Sequence, residues 1–283
     1  MLICAGAIGS PAILERSGVG DPALLASLDI PLVHAQPAVG EETSEHRCMR
    51  MQWRLSKPVS FNLKYRGLPL VASVLRYYLL RDGPMSGSSM EMRAAFKSRP
   101  YVDVADIQVQ LGLYSWDLQK PGSELERQHG FSTIAYGMVP SSRGSIHITS
   151  CDPGQQPAIV TNYYATGHDR DVIVSCARQM REWAAQEPLA GLIERETTPG
   201  PSAQTDTELL ESIDQLGVAG LHTVGSCRMG MDEGSVVDPD LRVRGVEGLR
   251  VIDASVFPVI PAGNTQAPVI ALGWLASEII RGR

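Results

Sequence analysis

The apolar and polar positions of the chain change period several times, and each change marks an element. Residues 2–8 are a nearly unbroken apolar run, which predicts a buried strand. Gly6, Gly9, Ser10 and Pro11 then predict a turn into a helix, with Ser10 as N-cap and Pro11 at the first helical position. Ile13, Leu14 and Ser17 continue that helix, and Gly18 with Gly20 end it. Residues 31–50, punctuated by Pro31, Pro37 and Gly40, read as loop. Leu70, Val74 and Tyr77 stand at helical spacing and predict a helix over 68–81, closed by Gly83 and Pro84. Residues 85–93 show no period. Ile107, Val109, Leu111 and Leu113 alternate with Gln108, Gln110 and Gly112, the pattern of a half-buried strand. A second apolar stretch covers 131–139, and Ile146 and Ile148 alternate after a turn at Arg143-Gly144, so 100–165 is sheet-rich. Val172, Cys176, Met180 and Trp183 make one face of a helix over 169–187. Thr205 with Glu208 forms a capping box opening a short helix, with Leu209, Ile213 and Leu216 inward and Gly217 at its end. Residues 218–267 are glycine-rich and irregular apart from a short strand at 249–252, and a last helix runs from Pro268 to about Ile280, burying Val269, Leu272, Leu275 and Ile279. This order fits α+β better than regular alternation of strand and helix.

Composition narrows the partners. The 283 residues are 43% apolar and 20% charged, a globular balance with enough length for a substantial core. The net charge of −6 argues against a nucleic-acid surface, which would be basic. No run of about 18 apolar residues suggests a membrane span. Five cysteines at 4, 48, 151, 176 and 227, with no CxxC, indicate neither a disulfide framework nor a zinc module, so a reducing, cytoplasmic setting is expected. The small apolar start has no Lys or Arg before it, Arg16 arriving after, which favours a strand over a leader. A strand so near the first residue needs neighbours on both sides and predicts that the chain starts inside a domain. Without them its apolar surface predicts self-association.

Six histidines are candidates for chemistry. His147 lies on the polar phase of a strand and reads as a surface residue. His34, His129 and His168 lie in polar or loop stretches with no partner spacing. His222 lies in a Gly-rich loop, Gly220 to Gly230, which can aim a side chain into a cleft, although the residues alone favour a structural role. A Cys227–His222 thiol–imidazole pair lacks a visible orienting group, the His and Cys spacings do not form a metal site, and no G-x-S-x-G surrounds Ser10 or Ser17. Asp253 ends an apolar strand, where it can accept hydrogen bonds from backbone or ligand. Asn264 to Pro268 opens the last helix, whose free N–H groups favour an anionic ligand group.

Taken together these stretches resemble the glucose–methanol–choline (GMC) family of flavin-dependent oxidoreductases. The run Gly6-Ala7-Ile8-Gly9-Ser10-Pro11-Ala12-Ile13-Leu14-Glu15-Arg16-Ser17-Gly18-Val19-Gly20 resembles its second signature. Pro140-Ser141-Ser142-Arg143-Gly144 resembles its mid-chain turn. The stretches from His222 to Gly230, from Val237 to Ser255 and from Gly263 to Pro268 are similar to its carboxyl-terminal block. Two departures stand out. The family's amino-terminal half, with the GxGxxG Rossmann turn that grips the ADP part of FAD, is missing. The family's Gly-Glu-Asn-Leu-Gln-Asp-His loop reads Gly40-Glu41-Glu42-Thr43-Ser44-Glu45-His46 here, matching only at its ends and putting a flavin contact by that loop in doubt.

The resemblance implies a remnant of an FAD-binding domain at 1–45, an antiparallel-sheet substrate domain flanked by helices at 46–210, and a return to the FAD-binding domain at 211–283. It implies FAD as cofactor and a small-molecule alcohol as substrate, oxidised by hydride transfer to flavin N5. His222 matches the position that accepts the hydroxyl proton. Asn264 matches the second catalytic position, and since a carboxamide is no base, His222 is left as the acid/base candidate. Asp253, Ala254, Thr265, Gln266 and Ala267 match positions near the flavin. No metal is implied. The other reading is a non-catalytic fragment or half-subunit that needs a separate amino-terminal Rossmann half to hold FAD. For the substrate pocket, Tyr65, Tyr77, Trp116 and Tyr136 are candidate linings against a plainer role in the core, and 6% aromatic content suggests no cage for a quaternary ammonium.

Overall fold

The computed structural model describes residues 1–118, 120 and 124–282. In chain order the strands are β1 (Leu2–Ile3), β2 (Val19–Gly20), β3 (His34–Ala35), β4 (Arg47–Leu55), β5 (Met92–Phe96), β6 (Ile107–Gly112), β7 (Gly130–Gly137), β8 (Ser145–His147), β9 (Ala158–Val160), β10 (Ile193–Thr198), β11 (Val218–Ala219) and β12 (Arg250–Val251). The helices are α1 (Gly6–Arg16), α2 (Pro22–Ser27), α3 (Gly67–Leu80), α4 (Gly167–Ala184), α5 (Asp206–Leu216) and α6 (Gln266–Arg281). The architecture is α+β. It divides into two compact units, one of residues 1–46, 138–169 and 219–283, the other of 47–137 and 170–218. Residues 138–169, expected within a 46–210 domain, thus lie in the first unit.

In the first unit β1 pairs in parallel with β12, β2 with β3, and β8 runs antiparallel to β9. The core gathers Leu14, Val39, Val237, Leu241, Val251 and Val256, all but fully buried. The strand expected over 2–8 is two residues long, and the helix starts at Gly6 rather than Pro11. A short apolar run does not distinguish strand from buried helix. Here Gly6 adopts φ +77°, and its N–H donates to Asp253 Oδ2 at 3.0 Å, turning the chain early. Ser10 is therefore inside α1 and is not its N-cap. Its hydroxyl donates to the same Asp253 oxygen at 2.5 Å and accepts from the Ala5 N–H at 3.2 Å. Pro11 has no N–H for the Ala7 carbonyl one turn back, a loss that would normally weaken a helix. The Ser226 hydroxyl donates to that carbonyl at 2.6 Å instead. On α6, Leu272 and Ala276 face inward while Leu275 is 57% exposed, a correction to the expected inward set.

The second unit is built on an antiparallel sheet of order β10-β4-β7-β6-β5, with β11 beside β4. Its interior strand β4 begins at Arg47, inside the stretch read as loop. The sequence Arg47-Cys48-Met49-Arg50-Met51-Gln52-Trp53-Arg54-Leu55 places a polar residue at nearly every second position, yet most of them are covered. One sheet face meets α4, where Cys176 and Met180 are buried and Trp183 packs edge-on to Phe96 at 4.7 Å. The capping box at α5 is present in full, both Thr205 and Glu208 contributing. On α3 the inward side is Leu70, Ser73, Val74 and Tyr77, while Leu68, Leu79 and Leu80 are exposed. Among the described residues no helix is long and apolar enough to cross a membrane.

His147 is not a plain surface residue. On β8 its Nδ1 donates to Glu15 at 2.7 Å and its Nε2 faces Glu41 at 3.0 Å. Glu15 is fully buried and also accepts from the Ile148 N–H at 2.8 Å. The Glu15 hydrogen bond, outweighing burial, raises the His147 pKa above its ordinary value. A raised folded pKa means that the stabilisation is complete below the unfolded value of about 6.5 and fades as pH rises through the folded one. His147→Gln is expected to lower the unfolding free energy by about 3 kcal/mol at pH ~6, because it leaves a buried carboxylate short of its partner. The gap between variant and parent should shrink as pH rises. Urea unfolding across pH checks this, and a gap that is constant with pH would contradict it.

Candidate functional site

Two segments of the first unit build the site. Residues 40–46 run antiparallel to 220–226: Gly40 N–H donates to Ser226 O, Ser44 and Val224 exchange both backbone bonds, and Gly220 N–H donates to His46 O. The approach is close enough to require glycine. At Gly225, φ is +92° and a Cβ would stand 2.5 Å from Glu42 O. At Gly220 a Cβ would stand 2.9 Å from His46 O and 3.0 Å from His222 Nδ1. Glu45 ties the segments further, its carboxylate accepting from the backbone N–H groups of His46 (2.9 Å) and His222 (2.8 Å) and from the Thr223 hydroxyl (2.5 Å). The 40–46 loop thus holds His222 in place even though its middle residues depart from the expected pattern.

The ring nitrogens then fall into one consistent order. His46 Nε2 lies 2.8 Å from the Met138 carbonyl, which can only accept, so Nε2 carries the proton. His46 is fully buried, and burial pushes its pKa down to about 4, so it is neutral near pH 7 and its Nδ1 is an acceptor. His222 Nδ1 lies 2.9 Å from His46 Nδ1 and is therefore the donor. That leaves His222 Nε2 as a lone pair, and the Asn264 carboxamide donates to it at 3.1 Å. Burial also lowers the His222 pKa, opposed by the Glu45 carboxylate. The result is a neutral imidazole with its basic nitrogen aimed at Asn264.

His222 and Asn264 are therefore brought together. Thr265 is buried, while Asn264, Gln266 and Ala267 are exposed at the opening of α6, which has no side-chain cap and no acidic residue in its first turn. Asp253 does not join them. Its carboxylate accepts from Gly6 N–H, Ser10 and Ser255 N–H, binding α1 to the turn after β12, where Ala254 is half-buried. His46 is the residue that sequence reasoning missed. Its signal was the matching histidine at the end of the 40–46 loop, but a partner 176 residues away has no spacing to reveal it. Cys227 is fully buried with its thiol pKa pushed up by burial, which fits a core residue and not a nucleophile.

In the second unit Tyr65 and Trp116 line a cavity of about 360 Å³ together with Tyr114, Leu70, Met85 and Leu125. Tyr65 meets Tyr114 edge-on, as Tyr114 does Trp116. Tyr77 lies on α3 under the Arg81 guanidinium, and Tyr136 is buried in the sheet, its hydroxyl pKa pushed up to about 12 by burial.

This chain is similar to the GMC oxidoreductases. The family model, described as GMC oxidoreductase, matches residues 140–273. The chain is 38% identical over its whole length to oxygen-dependent choline dehydrogenases of Citrobacter koseri (strain ATCC BAA-895) and Escherichia coli O139:H28, and covers 50% of each. It spans about half the length of these curated relatives. Among solved structures, pyridoxine 4-oxidase from Mesorbium loti matches with a TM-score of 0.84 at 25% identity, over 100% of this chain and 51% of that one. A formate oxidase from Aspergillus oryzae RIB40 shares the fold with a TM-score of 0.89 at 22% identity, over 99% and 54%.

The proton order is open to direct test. Long-range ¹H–¹⁵N spectra at about pH 7 are expected to find His222 protonated at Nδ1 and His46 at Nε2. In His46→Ala, which removes the acceptor, the Nε2–H form of His222 should grow. A His222 already protonated at Nε2 in the parent would refute the order.

Proposed function

We propose that the chain carries the proton-handling half of an FAD-dependent alcohol oxidation. The observation that carries this reading is the His222 Nε2 lone pair, held by the Met138–His46–His222 series of hydrogen bonds and set 3.1 Å from the Asn264 carboxamide. An alcohol hydroxyl delivered to Nε2 comes within reach of the carboxamide as well, so Asn264 fixes the oxygen while His222 takes the proton. Loss of that proton builds negative charge on the oxygen and weakens the carbinol C–H bond. FAD, when bound, supplies the acceptor for the hydride at its N5. The imidazole ends protonated, the carbinol carbon ends as a carbonyl, and the electron pair has left with the hydride.

The residues present suit such a cofactor. The first turn of α6 offers backbone N–H groups without a capping side chain or an acid to compete for them, next to Asn264. Helix N-termini of this kind favour the negative charge of a reduced flavin. Thr265, Gln266 and Ala267 would supply that turn. Asp253, through Gly6 and Ser10, would hold the turn preceding α1, with Ala254 beside it. On this reading the first unit is the FAD-binding part and the sheet unit the substrate-binding part. The reaction belongs to the whole protein, of which a separate or preceding amino-terminal FAD-binding half would be part.

The test uses this chain and, in parallel, the chain joined to the amino-terminal half of a choline dehydrogenase relative. A flavin band at about 450 nm that copurifies with the joined protein, together with reduction by alcohols, is expected. His222→Ala should keep the band and lose about 10²–10⁴-fold in kcat. Because the His222 pKa is lowered, the acid limb of kcat/KM should lie below the ordinary histidine value, and Glu45→Gln, which removes the charge that raises it, should move the limb lower still. A coloured His222→Ala protein with full activity would end the proposal.

A further inference from the structure

The sheet of the second unit has two unlike faces. The α4 side is apolar. On the other side, register places Arg50 of β4 opposite Ile134 of β7, Ile134 opposite Gln110 of β6, and Gln110 opposite Arg93 of β5. Directly opposed residues share a face, so these four form one row across the sheet. Strands lie about 4.8 Å apart, so Arg50 and Gln110 flank the half-buried Ile134 at a span of about 10 Å.

The polar members of this row are not engaged by the protein. Arg47 and Arg54 on the same strand are held, Arg47 by the Asp214 carbonyl at 2.5 Å and Arg54 by the Glu126 carboxylate at 2.8 Å. Among the described residues, Arg50, Gln110 and Arg93 have no side-chain hydrogen bond or ion pair with another protein group. Arg50 is the costliest of these. It is half-buried, its Nε, like that of Arg54, is enclosed without an acceptor, and, unlike Arg54, it has no carboxylate at its terminal nitrogens; its contact is the Trp116 ring, 5.8 Å from the guanidinium carbon. Burial lowers its pKa, and its electrostatic neighbours are the Tyr114 phenol and the Cys48 thiol, with no carboxylate acting on it. Glu91 acts on Tyr65 and Tyr114 and accepts from the Leu113 N–H. A desolvated cation without a counter-charge is unfavourable unless an anion completes it. The two terminal nitrogens of Arg50 remain open, and their planar fork suits a carboxylate.

We propose that this face binds an organic ligand bearing a carboxylate, held by Arg50, with an apolar or aromatic body on Ile134 and a polar group at Gln110. A quaternary ammonium, the charge of choline, is disfavoured beside Arg50 and Arg93.

Calorimetric titration of the full chain at low ionic strength tests the site with 4-(hydroxymethyl)benzoate, its uncharged analogue 4-methylbenzyl alcohol, and choline. The acid should bind about tenfold or more tightly than either of the others. Arg50→Gln should abolish that preference. Arg50→Lys, which keeps the charge and loses the fork, should retain part of it and guards against a loss caused by misfolding. His222→Gln should leave acid binding unchanged, which separates this site from the reaction proposed above. Choline binding as tightly as the acid, equal affinity for acid and neutral alcohol, no measurable binding of the acid, or an unchanged preference in Arg50→Gln would each overturn it.

Discussion

One hydrogen bond between two imidazoles governs the site. Two neutral histidines can bond ring to ring in either sense, and an isolated pair would mix both. The Met138 carbonyl breaks that symmetry, because it only accepts and so fixes the proton of His46 on Nε2. The direction of the next bond follows, and with it the location of the His222 lone pair. Burial of His46 protects the order, since a protonated His46 would have two donors and would reject the Nδ1–H of His222. The protonation of His222 is thus set two residues away, by a backbone oxygen and by burial of His46.

The first unit has many buried polar groups, and they work as ties between distant stretches. Asp253 joins the turn after β12 to the start of α1. Ser226, four residues after His222, repairs the hydrogen bond that Pro11 removes from α1. Glu15 leaves the same helix to meet His147 and Ile148. Each is costly to bury alone and is satisfied by a partner far along the chain, so none is stable until the segments have met. A helix carrying an internal proline is tolerable under that condition, because the missing donor is supplied by the loop that also carries His222.

Much of this was legible locally. The capping box at Thr205 and Glu208, the alternation that becomes β6 and the Gly217 end of α5 are short-range patterns with short-range causes, and each appears where its residues predict it. His222 and Asn264 were legible through motif resemblance. Three features were not. Residues 2–8 were an apolar run with no period to choose strand or helix, and the deciding contact came from Asp253, 247 residues beyond Gly6. β4 was hidden because its arginines mimic a solvated stretch, whereas it is an interior strand paired with β10 on one edge and β7 on the other. His46 was hidden because a tautomer is set by long-range geometry, which no local spacing encodes.

The arginines of β4 show why a single residue type does not carry a single meaning. All three guanidiniums are on a strand whose neighbours are mostly covered, and all three pay a desolvation cost. For Arg54 the cost is offset by the Glu126 carboxylate, and for Arg47 by the carbonyl end of α5. Such pairs orient a side chain and need no ligand to explain them. Arg50 lacks that compensation, and stacking against an indole recovers little of the lost hydration. Its neighbours in the row, a glutamine and another arginine, add donors and no negative charge. The alternation that makes one face of the sheet a core therefore leaves the other with an excess of unmatched donors, and it is the excess, not the presence of arginine, that gives the face its preference for an anion.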